Sequence, residues 1–290
     1  MKPKIDIVIP THNGLPLLKK HLPVIIENSP QVSSIIVIDN GSTDGTSEYL
    51  KKFSDIKLIQ NATNLGFTSA VNQGVAASSA DLVVLLNNDV SPHKNYLKSA
   101  FPFFKDKNIF AVTFSEENSS WPQVHWKDGK IQYTNGNDRE HPRLSLWASG
   151  GSSILRRSTW NKLGGFNEIY SPGYHEDIDL GWRAYRQGNV IVWDPNSKVS
   201  HQHESSFGKL NQSYTNFLKQ RNELLFHWLN LSDPTLKFAH LRFLLTHSLS
   251  HPGYLKIIIG ALKIFKKSKH FSLKFTDLEI LSKINLLYEA

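Results

Sequence analysis

Residues 81–90, DLVVLLNNDV, carry an apolar run from Leu82 to Leu86 straight into Asn87, Asn88 and Asp89. A carboxylate at the end of a buried strand is held rigidly. A divalent cation gripped by one or two carboxylates takes its remaining ligands from phosphates. Asp89 could therefore anchor a diphosphate through a cation, while Asn87 and Asn88 hydrogen-bond ribose or sugar hydroxyls. The plainer use of these residues is a helix N-cap for the segment starting near Pro92. A second acidic group lies in HEDIDLGWRAYRQG (175–188), which holds Glu176, Asp177 and Asp179. On a helix, Asp179 pairs with Arg183 at i+4 on a solvated face, and Asp177 shares a face with Leu180, Gly181 and Ala184. A carboxylate at Asp177 also suits a helix N-terminus. SKVSHQHESS adds His201 and His203, which strand alternation sets on one side; a surface position is their plainer reading.

These residues need elements to hold them. IDIVIP (5–10), SIIVIDN (34–40), IKLIQN (56–61), DLVVLLN (81–87) and IFAVTF (109–114) read as strands. Segments 15–29, 43–53, 67–78 and 92–105 have helical spacing, with Pro102 bending or ending the last. Strands alternating with helices at these spacings predict an α/β fold, a mostly parallel sheet with helices on both faces. Residues 115–146 are polar and turn-rich, an excursion read as a hairpin. A strand and helix follow over 146–166, a helix over 175–188 closed by Gly188, two short strands through NVIVWDP and SKVSHQH, and helices from about 211.

In such a sheet, ligands bind beyond the carboxyl ends of the strands. Those ends read PTHNG (10–14), DNGSTDGT (39–46), NATNLGF (61–67) and NNDV (87–90). Turn chemistry alone accounts for any one of them. The four together favour a ligand, and a rim of amides, hydroxyls and carboxylates suits a nucleotide.

The set IDIVIPTHNG, IIVIDNGSTDGT, NLGFTSAVNQG, LLNNDV, GGFNE and HEDIDLGWRAYRQG, in this order, resembles family 2 glycosyltransferases of GT-A fold, in the rhamnosyltransferase-like, cell-surface polysaccharide branch. The resemblance covers about residues 4–230. It implies an inverting transfer from a nucleoside-diphosphate sugar to a glycan or lipid-linked glycan. The family's Asp-x-Asp metal motif falls on Asn87, Asn88 and Asp89, so its first carboxylate is an amide here. Nucleotide contacts map onto Pro10, Thr11, Asn13, Asp39 and Asn64, with Asp39 at the base's imide. Asp177 takes the role of general base, and a histidine after the last strand, His201 or else His203, that of a further metal ligand. An imidazole tilts the cofactor from Mg²⁺ toward Mn²⁺. Arg221, in LKQRNELL, reaches the diphosphate or is an ordinary surface arginine. Trp147 and Trp182 stack on sugars or pack in the core. A non-catalytic sugar-nucleotide-binding or scaffold protein is the rival reading, which Asn87 keeps open. A nucleotidyltransferase is disfavoured, because PTHNGLPLL has no Lys or Arg after the first strand.

The expected organisation is a glycosyltransferase domain over 1–230, with a nucleotide-sugar half (1–114) and an acceptor half (115–230), and a helical basic C-terminal extension over 231–290. Net charge is +8, yet no acidic residue lies between Asp233 and Asp277, where eight Lys and Arg fall. The stripe Leu255, Ile258, Ile259, Leu262 and Phe265 within 254–271 fits a membrane interface, the protein's own body or a second subunit. No nucleic-acid motif accompanies the charge. With no cysteine, disulfides, thiolate metal sites and cysteine nucleophiles are excluded. The first residues hold no long apolar run, so no secretory signal is expected. The expected location is cytoplasmic, at the membrane's cytoplasmic face if the tail binds lipid.

Overall fold

Continuous apolar runs mark strands covered on both faces. β1 (Ile5–Thr11) is such a run, with all seven residues buried. α1 (Leu15–Asn28), β2 (Ser34–Asn40), α2 (Thr46–Leu50), β3 (Ile56–Asn61), α3 (Phe67–Ala77) and β4 (Leu82–Leu86) repeat the strand–helix unit. Next come β5 (Val90–Pro92), α4 (Tyr96–Ala100), β6 (Ile109–Glu116), a hairpin of β7 (Pro122–Lys127) and β8 (Lys130–Asn135), and β9 (Arg143–Leu144). β10 (Ser152–Arg156), α5 (Arg157–Leu163), α6 (Glu176–Arg186) and β11 (Val190–His201) precede α7 (Gln212–Asn230), α8 (Pro234–Ser250), α9 (Leu255–Ile264) and α10 (Asp277–Lys283). This computed structural model describes residues 3–117, 120–202, 211–265 and 274–288. His203 and residues 266–271 of the tail lie outside them.

Nine strands form one sheet in the order β3-β2-β1-β4-β10-β6-β11-β5, with β9 on β11. β1, β2, β3, β4, β6 and β11 point one way. β10 enters antiparallel between β4 and β6, and β5 and β9 run antiparallel to β11. Alternation along β1 sends Ile5, Ile7 and Ile9 to a core shared with Leu18, Leu22 and Ile25 of α1. Val8 joins the opposite core with Ala70, Val71 and Val75 of α3.

Three segments depart from the sequence reading. The helix expected over 43–53 is only α2, because Gly45 sits at φ 87° and opens the helix there. Residues 90–92 form a strand, and Pro102 lies in a 3₁₀ turn, Phe101–Lys105, that succeeds α4; proline's missing N–H ends the α-helical ladder. NVIVWDP and SKVSHQH are one strand, β11, with a register shift between Asp194 and Lys198.

A third core lies beside the sheet. It joins Val124 and Ile131 of the hairpin to Ile178 and Tyr185 of α6, Leu225 of α7, Ile257 of α9 and Ile280 of α10. Trp182 is fully buried there, edge-on to Phe226 at 5.8 Å, so it belongs to the core and not to a sugar platform. A Cβ on Gly181 would lie 1.9 Å from the Leu146 carbonyl oxygen, so only glycine lets α6 approach the chain entering β10. Asn285, just past α10, holds both backbone groups of Val124: its Oδ1 accepts the N–H at 2.8 Å and its Nδ2 donates to the C=O at 2.7 Å.

α6 is tied to α10 by a buried ion pair between Arg186 and Asp277. Asp277 also accepts the N–H groups of Ser232 (2.7 Å) and Asp233 (2.6 Å), and Arg186 donates to the carbonyls of Asn230 (2.8 Å) and Phe275 (3.1 Å). Removing one partner strands a buried charge, whereas an apolar pair of similar volume does not. Asp277→Ala should therefore cost about 3–5 kcal/mol in urea unfolding, and Arg186→Met with Asp277→Leu should recover only the part due to the stranded charge, since the Ser232 and Asp233 N–H groups stay unpaired.

Candidate active site

Because six strands run in parallel, their C-terminal ends share one rim. Thr11, Asn40, Asn61, Leu86, Glu116 and His201 are their last residues. β10 runs the other way, so its start, with Gly150 and Gly151 just before it, meets the same rim.

Antiparallel pairing of β5 with β11 sets His201 opposite Val90, and the Gln202 N–H donates to the Asp89 C=O at 3.2 Å. His201 Nε2 lies 3.1 Å from Asp89 Oδ1, and Nδ1 lies 3.1 Å from Glu116 Oε1. Ser152 Oγ donates to the same Glu116 oxygen at 2.7 Å. Burial opposes a charged ring here, but the two carboxylates outweigh it and push the His201 pKa up to about 9. Asp89 is 1% exposed, and its Oδ2 is buried without a hydrogen-bond partner. An unmatched carboxylate oxygen in such a place is costly unless a cation meets it. Among the described residues no three His, Asp or Glu side chains form a set able to hold a metal ion. Glu116 escaped the sequence reading because SEENSS looks like loop; the signal available was its place at the end of an apolar strand.

The other acid is delivered by α6. Tyr174 (φ 76°) and His175 (φ 74°) precede it in the left-handed region, a strain of about 1–3 kcal/mol per residue without glycine. Asn222 of α7, completely buried, holds that turn: its Nδ2 lies 2.9 Å from each of the carbonyls of Tyr170, Gly173 and Tyr174. Arg221 donates to Asn222 Oδ1 and to the Ser171 carbonyl, both at 2.9 Å. It is thus a half-buried brace of the same turn. Asp177 is half-buried, and its carboxylate accepts the N–H groups of Ile178 (2.8 Å) and Gly150. Burial raises its pKa, and those N–H groups only partly oppose the rise. Glu176 is pushed up further, first by burial and then by Asp177. Burial, aided by Lys219 and Lys130, lowers His175 to about 4 and keeps it neutral. Asp179 does pair with Arg183, at 2.7 Å, but on no solvated face: it is 1% exposed and also meets Tyr170 and Asn230.

A short bridge connects the two acids. The Asn87 N–H donates to the Gly151 C=O at 2.9 Å, and a Cβ on Gly151 would fall 2.4 Å from Asn87 Nδ2. Gly150, the next residue back, donates to Asp177. A cavity of about 590 Å³ opens at Asp177, lined by Tyr133, Trp147, His175, Glu176 and Lys219. Trp147 stands there edge-on to Tyr133 at 4.8 Å, partly buried at the margin of the core that encloses Trp182.

The remaining rim residues bind one another. Asn88 Nδ2 donates to Thr11 Oγ1 at 2.8 Å, beside Pro10 in β1. Asn13, at φ 48°, accepts the Thr43 N–H at 2.8 Å. Asp39 is 2% exposed and accepts the Ser42 N–H at 3.0 Å and the Ser47 hydroxyl. Asn64 accepts from Asn40 and from the Gly66 N–H, both at 2.9 Å. Asn40 was not singled out in the sequence, yet its side chain also takes the Asn61 amide at 3.0 Å and the Leu65 N–H at 3.1 Å.

Residues 6–164 match the model of glycosyl transferase family 2, and the chain belongs to that family. It is a glycosyltransferase. It is 26% identical, over 71% of its length and 78% of the relative's, to the N-acetylglucosaminyl-diphospho-decaprenol L-rhamnosyltransferase of Mycobacterium tuberculosis. It is 24% identical, over 69% of its length and 67% of the relative's, to the O-antigen chain rhamnosyltransferase WbaN of Salmonella anatum. Its fold is of GT-A type. The mannosyltransferase PcManGT of Pyrobaculum calidifontis, solved with GDP-Man and Mn²⁺, superposes with a TM-score of 0.58 at 17% identity, covering 91% of this chain and 75% of that one.

The raised Glu176 and Asp177 pKa values have a consequence for stability. Both groups keep protons in the folded protein that the unfolded chain releases above about pH 4. Stability should therefore decline as pH rises from that range through their folded values. The urea midpoint measured against pH should show this decline, and Glu176→Gln should flatten it.

Proposed function

We propose that the chain is an inverting, metal-assisted glycosyltransferase that moves a sugar from a nucleoside-diphosphate sugar to a hydroxyl of a glycan or lipid-linked glycan in surface-polysaccharide assembly. The observation that carries this reading is the pairing of Asp89 and His201 on one side of the rim with Asp177 on the other, bridged by Asn87, Gly150 and Gly151. The names of the rhamnosyltransferase relatives support a lipid-linked or polysaccharide acceptor. GDP-Man and Mn²⁺ in the mannosyltransferase structure support the donor class and the ion.

Asp89 and His201 fit a divalent cation, Mn²⁺ or Mg²⁺. The unmatched Asp89 oxygen and an imidazole nitrogen would be two donors, and phosphate oxygens of the donor substrate would supply the rest. When bound, such an ion offsets the charge of the departing diphosphate. Glu116 holds the Nδ1 side of the ring and so orients Nε2 toward Asp89, as carboxylates behind metal-binding histidines do. Pro10, Thr11, Asn13, Asp39 and Asn64 line the nucleotide side. Asp39 has lone pairs left for the base's imide after serving Ser42 and Ser47. Asn87 and Asn88 meet sugar or ribose hydroxyls, and Arg221 faces the diphosphate from the turn it braces.

On the opposite side, Asp177 accepts the proton of the acceptor hydroxyl as that oxygen attacks the anomeric carbon. Its raised pKa improves the match to that proton. Attack from the side opposite the leaving diphosphate, in a single displacement, inverts the anomeric centre.

Asp177→Asn should leave donor affinity unchanged and slow transfer by about 10²–10⁴-fold, measured by product formation beside a donor titration. Normal turnover would remove Asp177 from the chemistry. The wild-type rate should fall in acid with an apparent pKa above the usual carboxylate value of about 3.9. Asp89→Ala should abolish the extra thermal stabilisation that Mn²⁺ adds to a nucleotide-sugar complex; equal loss with and without the ion would refute the cation role.

A further inference from the structure

We propose that α8 and α9 form a docking face for an anionic lipid surface. α8 is apolar on two opposite sides. Leu236 and His240 are buried against the body, while Phe238 (70% exposed), Leu241 (54%), Leu245 (61%) and Leu249 (83%) form a second row at helical spacing. A helix with apolar rows on two opposite sides needs both of them covered, and here one is open. On α9, Ile257 and Ala261 are buried, whereas Leu255, Ile259 and Leu262 are exposed. The two helices are consecutive, joined by a 3₁₀ turn at Pro252–Tyr254.

Charge selects the occupant. Lys237 and Arg242 flank the row on α8, and Lys256 and Lys263 flank that on α9; all four are exposed and form no ion pair among the described residues. No acidic residue lies between Asp233 and Asp277 to balance them. A second copy docking the same face about a two-fold axis would bring these cations against their own kind. An anionic leaflet brings the opposite sign and takes the apolar rows into its acyl boundary. Each basic residue near such a surface is expected to add about fivefold to binding.

The position of α8 gives this face a use. Its inner side supports the wall of the Asp177 cavity. The His240 ring stacks on His227 at 4.8 Å and its Nδ1 meets the Gly129 C=O at 2.8 Å, while Lys130 lies over the Phe243 ring at 5.5 Å. His227 and Lys130 line the cavity. The cavity and the leucine row therefore stand on opposite sides of one helix, about 10 Å across. A lipid-linked acceptor could leave its tail in the leaflet and still present its sugar to Asp177. That use rests on the proposed transfer reaction, but the docking itself does not.

The test is flotation of the full chain with phosphatidylcholine vesicles, with and without phosphatidylglycerol, at low and high salt. Binding should require the anionic lipid and weaken in salt. Leu245→Glu with Leu249→Glu, and separately Ile259→Glu with Leu262→Glu, should each lower binding at least tenfold. These side chains are exposed, so thermal stabilisation by a nucleotide sugar should be unchanged. No binding of wild type to anionic vesicles overturns the proposal, as does binding that both double variants retain. Lipid-free dimerisation in light scattering that the same variants abolish would give the face to a second copy and equally overturn it.

Discussion

Two carboxylates, Asp89 and Glu116, converge on one imidazole in a place almost closed to water, and the rest of the rim is arranged around that concentration of charge. With His201 protonated the cluster keeps one net negative charge. Burial makes such an imbalance expensive, and the Asp89 oxygen without a partner is where it is felt. Three strand ends must stay in register to hold it. The turn between β4 and β5 supplies Asp89, β6 supplies Glu116, and β11 supplies His201 through its pairing with β5. In the proposed reaction a divalent cation with neutral imidazole would bring the cluster to neutrality, which makes such an ion its natural occupant.

The two sides of the rim are built differently. The side proposed for the nucleotide is a lattice of short turns whose amides and hydroxyls bind one another, centred on Asn40 and Asp39. The side that holds Asp177 depends on one buried amide, Asn222, which fixes three carbonyls of a strained turn. Strain is tolerated there because packing over-determines it. The reward is a carboxylate aimed into the cavity and held above its usual pKa by burial.

The sheet was legible in the sequence because its central strands are buried on both sides and so read as unbroken apolar runs. The rim followed from the polar residues that end those runs. Contacts set by tertiary pairing were not legible. β5 is three residues long, too short for a periodicity, yet its pairing with β11 brings His201 to Asp89. Glu116 sits where an apolar strand passes into polar loop, and nothing local distinguishes it from Glu117. The i+4 spacing of Asp179 and Arg183 revealed their pairing but not their burial, since Asn230 arrives from 51 residues away. Trp147 and Trp182 look alike in the sequence, and only their depth in the third core, Trp182 inside it and Trp147 at its margin, distinguishes them.

Asn285 joins the cavity's hairpin to the far end of the chain, 161 residues from Val124. β8 pairs with β7 locally, but both hydrogen bonds that tie Val124 to the rest of the molecule through Asn285 need a residue translated much later. The hairpin that walls the Asp177 cavity therefore completes its hydrogen bonding only when the segment after α10 has packed against it. A graft that imports another enzyme's hairpin without its tail would leave the Val124 position unclamped, so the two segments must be exchanged as a unit.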